Sequence, residues 1–135
     1  MPIAAVIRPG ETDFDEQGRV QGTLDLPLNA HGEQQVSEIA AVLQDRSIGV
    51  ILTSPHDPAL STARLLGEAL SITVKELDAL ANVDHGLWQG LCKEEIKRKQ
   101  PKVFKLWNES PESVCPPGGE TCNEAHSRAQ KALRK

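Results

Sequence analysis

The chain has 135 residues and a formal net charge of −4, with 39% hydrophobic and 25% charged residues, which suits a single globular domain. Aromatic residues make up only 3% of the chain, so a nucleic-acid surface built on base stacking is not expected. No apolar run approaches the roughly 18–20 residues of a membrane-spanning helix, so we expect no membrane partner. The cysteines lack metal-ligand spacing, which predicts reduced thiols in a cytoplasmic protein, with no metal site and no cofactor.

The beginning of the chain predicts a strand, a long loop and a helix. Ile3–Ile7 is a continuous apolar run, which is typical of a strand covered on both faces in a parallel sheet. Residues 8–29 are rich in Gly, Asp, Pro and Asn and predict a loop whose length is typical of a functional segment. Asn29 is a candidate N-cap for a helix that reaches about Asp45, because apolar residues recur at helical spacing between them.

The rest of the chain continues the alternation of apolar strands and amphipathic helices. The predicted order is a strand at 50–52, a helix within 59–70, a strand at 72–74, a loop at 77–91, short helices at 94–99 and 101–107, a loop at 108–119 and a helix from about 120 onward. Pro101 divides the two short helices, since proline is tolerated only at the start of a helix.

This order indicates one α/β domain over residues 1–135 with a mainly parallel sheet. In such sheets ligands bind beyond the carboxyl ends of the strands. Arg8 and Ser54 follow the first two predicted strands directly, so this edge is the expected functional region.

Several short motifs follow one another along the chain. They are Arg8–Thr12, Arg19–Gly22, Asp25–Leu28, Gly32, Thr53–Pro55, Thr62–Ala63, Gly86–Gly90 and Pro116–Glu120. In this order, and on these predicted elements, they resemble the histidine phosphatase superfamily, which is also called phosphoglycerate-mutase-like. The resemblance extends from Ile3 to about Arg128 and implies a three-layer α/β/α fold.

The resemblance also implies a chemistry. The family signature is Arg-His-Gly-Glu-Thr, whose histidine attacks the phosphoryl group and forms a phosphohistidine. Two arginines neutralise the phosphoryl oxygens, a carboxylic acid protonates the leaving oxygen, and a second histidine on a later strand completes the phosphate site.

This sequence departs from the family at the positions that carry the chemistry. The nucleophile position is Pro9, the second arginine is Pro58 and the acid is Asn82. Asp15 and Asp57 add negative charge where the family gathers positive charge for phosphate. We therefore expect no catalytic residue at the family positions, and a non-catalytic protein with a binding or interaction role.

Some of the expected pocket remains. Arg8, Gln21 and Gly22 match family positions and are candidates for residual binding of a small anion or phosphorylated ligand. Two structural alternatives stay open: Arg8 forms a salt bridge to Asp15 or Asp57, or Gln21 and Gly22 only close the long loop.

A rebuilt active site is the competing hypothesis. It would be a phosphomonoesterase that uses His56, which is two residues from Pro58, or His85, in the loop that should carry the acid. A basic stretch, residues 93–105, either forms a solvated helix pair or offers a surface to an acidic partner.

The family's second histidine has no counterpart, because the chain ends before the strand that would carry it. The resemblance implies that this strand lies beside Ile3–Ile7, which would leave an apolar sheet edge. We expect a second copy of the chain or another protein to cover this edge, unless another segment covers it or the natural protein is longer.

Overall fold

The computed structural model describes residues 4–133. The fold is α/β, as the sequence predicts, with a two-stranded parallel sheet among the described residues. The helices are α1 Asp13–Gln17, α2 Ala30–Leu43, α3 Ala59–Leu70, α4 Lys93–Lys99, α5 Pro101–Glu109 and α6 Cys122–Leu133, and the strands are β1 Ile51–Thr53 and β2 Val74–Glu76. Short 3-10 turns cover Asp78–Leu80, Gly86–Trp88 and Pro111–Ser113.

The two strands lie slightly later in the chain than their apolar runs predict. Ile51 pairs with Val74, and Thr53 pairs with Glu76. The strand predicted at 72–74 begins only at Val74, because Ser71 ends α3 in the left-handed conformation and the Ile72 amide still donates to the carbonyl oxygen of Gly67 at 2.9 Å.

Helix α2 begins where the sequence predicts. The Asn29 side chain accepts a hydrogen bond from the Gly32 amide at 2.7 Å, which satisfies a free donor of the first turn. Val36 and Ala40 are buried against Leu66 of α3, so one apolar face fixes the helix on its neighbour. The helix ends at Leu43 rather than at about Asp45.

The first predicted strand is not formed. Ile3 lies outside the described residues, and residues 4–7 belong to no strand. A strand needs backbone partners, and residues 4–8 make no backbone hydrogen bond with another residue of the described range. Val6 is 96% exposed, while Ile7 packs on the α2–α3 cluster. The prediction of a strand from this apolar run is therefore wrong for residues 4–7.

The predicted loop at 8–29 contains the short helix α1. Thr12 caps it: its hydroxyl accepts from the Asp15 amide, and the Asp15 carboxylate accepts from the Thr12 amide at 2.9 Å. A second apolar cluster joins distant segments through Val20, Trp88 and Ile96. None of the helices within residues 4–133 is long and apolar enough to cross a membrane.

Candidate functional site

The positions expected to carry catalysis lie close to one another. The Gly10 amide, next to Pro9, donates to the Thr62 hydroxyl at 3.1 Å, and this hydroxyl donates to the Pro58 carbonyl oxygen at 2.8 Å. Thr62 is buried in α3, so it ties the nucleophile position to the position of the second arginine. Neither proline offers a side-chain donor, acceptor or nucleophile.

The segment before α3 is held by acidic side chains. The Asp57 carboxylate accepts from the Ser61 hydroxyl at 2.6 Å and from the Ser61 amide at 3.0 Å, which caps the helix. Asp25 accepts from the Asp57 amide at 2.8 Å, and its carboxylate lies 3.6 Å from Nδ1 of His56. Negative charge therefore surrounds Pro58, where the family places an arginine.

Asn82, at the position of the family's acid, is connected to this region by hydrogen bonds to the long first loop. Its amide nitrogen donates to the Gly22 carbonyl oxygen at 2.9 Å, and Gln21 donates to the carbonyl oxygen of Asp57 at 3.3 Å. Gly22 has φ of +59°, a left-handed conformation that favours glycine, and a Cβ there would require the Gln89 side chain to move. Asn82 thus serves as a hydrogen-bond donor to the loop, a role that a carboxylate could not fill.

The loop that carries Asn82 is fastened to helix α6. Arg128 donates to the carbonyl oxygens of Ala79 at 2.9 Å and Ala81 at 2.7 Å, and forms an ion pair of 2.7 Å with Glu120. The Arg128 guanidinium lowers the pKa of Glu120, chiefly through their hydrogen bond. Glu120 also accepts a hydrogen bond from the Asp84 amide at 3.2 Å, so the motif Pro116–Glu120 helps to hold this loop in place.

Arg8 faces a groove that neither Gln21 nor Gly22 lines. This Arg8 groove has a volume of about 750 Å³ and is lined by residues 5–11, by Asp15 and by side chains of α2 that include Glu38 and Val42. Arg8 is exposed and forms no ion pair within residues 4–133. The alternative in which Arg8 bridges to Asp15 or Asp57 is wrong within these residues, since both carboxylates cap helices instead.

The electrostatics of the Arg8 groove disfavour anions. Glu11, Asp15 and Glu38 contribute three carboxylates against the single guanidinium of Arg8. Each carboxylate repels a phosphate dianion, although water screens the effect. A small anion would therefore bind weakly at this place.

The two histidines proposed for a rebuilt site have different surroundings. The His56 ring lies near Asp25 and is 46% exposed. His85 stacks edge-on against Trp107, with ring centroids 5.6 Å apart, and its Nδ1 is buried without a hydrogen-bond partner. Burial lowers the pKa of His85, so its imidazole stays neutral at neutral pH. A neutral imidazole is the form that can act as a nucleophile or base.

The roles of two residues that hold this region together were not predicted from the sequence. Thr62 belongs to the Thr62–Ala63 segment of the family resemblance, but the sequence does not show that its hydroxyl joins Gly10 to Pro58. Arg128 contacts residues that are more than forty positions earlier, so local spacing does not reveal its role. No group of three or more His, Cys, Asp or Glu side chains within residues 4–133 is placed to hold a metal ion.

The fold and the arrangement of the site define a protein of the phosphoglycerate-mutase-like class. A family model for the histidine phosphatase superfamily (branch 1) matches residues 5–135. The chain belongs to this superfamily.

Its relatives include phosphatases with different named substrates. The chain is 32% identical over 130 residues to phosphoserine phosphatase 1 of Hydrogenobacter thermophilus, covering 96% of this chain and 62% of that protein. It is 32% identical over 125 residues to glucosyl-3-phosphoglycerate phosphatase of Mycobacterium tuberculosis, covering 93% and 56%.

Solved structures agree with this assignment. The mycobacterial glucosyl-3-phosphoglycerate phosphatase in complex with VO3 superimposes with a TM-score of 0.87 at 31% identity, over 93% of this chain and 59% of that chain. The chain thus spans little more than half the length of these relatives.

Proposed function

We propose that this chain is a non-catalytic member of the histidine phosphatase superfamily that serves in binding or interaction. The identity of Pro9 carries the proposal. The family route needs a histidine at this position to take the phosphoryl group, and a proline ring nitrogen within the peptide chain has no lone pair to attack with.

The other replaced positions support the same conclusion. Pro58 cannot neutralise a phosphoryl oxygen, and Asn82 cannot donate a proton at neutral pH. Asn82 donates a hydrogen bond to Gly22, which is a structural role, and Asp57, next to Pro58, caps α3. The motifs Gly86–Gly90 and Pro116–Glu120 resemble those of the family, whereas the reactive side chains at positions 9, 58 and 82 are replaced.

A phosphomonoesterase with a rebuilt active site is the second candidate. The names of the relatives favour it, since several are phosphatases. The buried, unpartnered Nδ1 and lowered pKa of His85 also favour it, because they leave a neutral imidazole near the loop of Asn82. In this account His85 or His56 would replace the missing nucleophile.

Turnover of p-nitrophenyl phosphate separates the two candidates. The non-catalytic proposal predicts a rate equal to that of a protein-free blank. The rebuilt site predicts turnover well above the blank that is lost in His56→Ala or His85→Ala and kept in His126→Ala. His126 is exposed on α6 and serves as the matched control.

Residual anion binding is a further part of the proposal, with Arg8, Gln21 and Gly22 as its candidate residues. Arg8 supports it because its guanidinium is exposed and unpaired within residues 4–133. Calorimetry with inorganic phosphate should give weak binding that Arg8→Ala abolishes. Arg46→Ala, which removes another exposed arginine, should leave it unchanged; equal binding by both variants would contradict a role for Arg8.

We also propose a cytoplasmic location and a homo-oligomer or protein partner. The lack of metal-ligand spacing among the three cysteines, which predicts reduced thiols, supports the location. The exposed apolar residues around Val6 support the partner.

A further inference from the structure

Helices α4 and α5 concentrate positive charge on a chain that is acidic overall. Residues 93–105 contain six cations and two carboxylates, whereas the other residues of the chain contain nine cations and seventeen carboxylates. All six cations are exposed, and none of them forms an ion pair within residues 4–133. The α4–α5 basic surface consists of these cations, Lys93, Lys97, Arg98, Lys99, Lys102 and Lys105.

Helix stability accounts for only part of this charge. The three cations at 97–99 lie in the last turn of α4, where the helix dipole favours them. Lys93 is the first residue of α4 and Lys102 is the second residue of α5, and the dipole disfavours a cation in a first turn. Since lysine and arginine are almost never fully buried unless they are paired, a segment that covers this surface has to bring negative charge.

A small apolar pocket lies next to the α4–α5 basic surface. Three apolar and three polar residues line it, namely Trp88, Leu91, Ile96, Glu95, Lys99 and Gln100. Its volume is about 60 Å³, whereas one water needs about 10–15 Å³, so the pocket has room for one short apolar side chain. Because Lys99 belongs to both the pocket and the basic surface, one ligand can contact the two together.

We propose that the α4–α5 basic surface binds an acidic segment of another protein, and that an apolar side chain of this segment enters the pocket. The carboxylates of the segment face the exposed cations, which attract them over a distance of about 8–10 Å at physiological salt. The apolar side chain fixes the position of the segment, because its burial depends on the shape of the pocket. This inference rests on the proposed interaction role and names the class of partner.

The surroundings of the basic surface disfavour a nucleic acid or a membrane as the partner. The ring of Trp107 packs edge-on against Trp88 and Phe104, with ring centroids 5.2 and 6.1 Å apart, so these aromatic residues contact one another rather than offering a platform for bases. The excess of carboxylates in the rest of the chain repels a polyanion that extends beyond residues 93–105. A short acidic segment is small enough to stay on the basic surface.

Fluorescence anisotropy of a fluorescein-labelled peptide, in which glutamates flank a central leucine, tests the proposal. The peptide should bind the chain saturably, and added NaCl should weaken the binding. Lys99→Glu combined with Lys102→Glu should weaken it about tenfold or more, since two attractions become repulsions. Arg46→Glu combined with Lys131→Glu is the matched control, because it changes the net charge equally at exposed cations outside residues 93–105.

A second peptide tests the pocket without changing the protein. Replacing the central leucine of the peptide by serine should weaken binding to the wild-type chain about threefold or more, because the pocket removes part of the leucine side chain from water. Circular dichroism verifies that both double variants fold.

Several outcomes would overturn the proposal. They are no saturable binding of the leucine peptide up to about 1 mM, an equal loss of affinity in the two double variants, and equal affinity for the leucine and serine peptides. Tighter binding of a short single-stranded DNA or of phosphatidylserine vesicles than of the leucine peptide would also overturn it. The peptide assay does not measure turnover, so its failure is distinguishable from a failure of the non-catalytic proposal.

Discussion

Replacing Arg128 by methionine tests how the loop that carries Asn82 is held in place. The guanidinium donates to the carbonyl oxygens of Ala79 and Ala81 and to both carboxylate oxygens of Glu120. Arg128→Met keeps much of the aliphatic side chain and removes all of these donors together. The two carbonyls and the carboxylate then lose their partner.

The expected cost follows from the burial of the pair. The side chains of Arg128 and Glu120 are 26% and 19% exposed. A hydrogen bond to a charged group contributes about 1.5–3 kcal/mol, and loss of one partner of a buried ion pair costs about 3–5 kcal/mol. Because both side chains retain some contact with water, we expect Arg128→Met to lower the free energy of unfolding by about 2–4 kcal/mol.

Urea unfolding followed by tryptophan fluorescence measures this change. Arg64→Met is the control, because Arg64 lies 3.7 Å from Glu76 and the two side chains are 66% and 48% exposed. An exposed pair of this kind contributes about 1 kcal/mol or less. A loss for Arg128→Met that is no larger than the loss for Arg64→Met would refute the reasoning.

The ion pair of Arg128 and Glu120 also predicts that the free energy of unfolding depends on pH. Since Arg128 lowers the pKa of Glu120 in the folded protein, the stabilisation is present above the pKa of the unfolded state and is lost as the pH falls through the folded-state pKa. The difference in unfolding free energy between the wild type and Arg128→Met should therefore narrow in acid. A difference in unfolding free energy that stays constant as the pH falls would contradict a stabilising role of the ion pair.

Four further predictions concern other parts of the site. Pro9→His alone should leave p-nitrophenyl phosphate turnover at the blank rate, because the second arginine and the acid are still replaced; turnover above the blank contradicts this. Asp15→Asn should strengthen phosphate binding in calorimetry about three- to tenfold, since one charge beside a dianion contributes about 1 kcal/mol in water; an unchanged affinity counts against it. Burial lowers the pKa of His85, so folding opposes its protonation, and the wild type should lose stability in urea unfolding as the pH falls below about 6.5, the ordinary histidine pKa. The His85→Gln profile should be flatter, and parallel profiles would refute this. Gly22→Ala should cost about 1–3 kcal/mol in the same assay, because its Cβ would overlap Gln89; no cost would show that the loop adjusts.

Elements with a local signal could be predicted from the sequence. Asn29, which precedes an apolar run with helical spacing, correctly predicted the start of α2. Pro101 correctly predicted the boundary between α4 and α5. The pattern of Thr12 followed three residues later by Asp15 is a capping signal that could have located α1 inside the predicted loop.

Features that depend on partners could not be predicted in this way. The run before Arg8 has the composition of a strand, but residues 4–7 lack the backbone partner that a strand requires within the described range. The hydrogen bonds from Thr62 and Arg128 join segments that are far apart in the chain, so their roles appear only in the folded structure. By contrast, Pro9 and Pro58 reveal missing chemical groups directly, because no fold can supply a side-chain nucleophile or cation from proline.

The most direct test of the central claim is a search for a phosphorylated intermediate. The purified chain is mixed with p-nitrophenyl phosphate, quenched in alkali to preserve phosphohistidine, and its intact mass is measured. A non-catalytic chain should stay unmodified at every time point. A phosphoryl adduct that forms with release of nitrophenol, and that disappears in His56→Ala or His85→Ala, would show that the chain is a phosphatase with a rebuilt site.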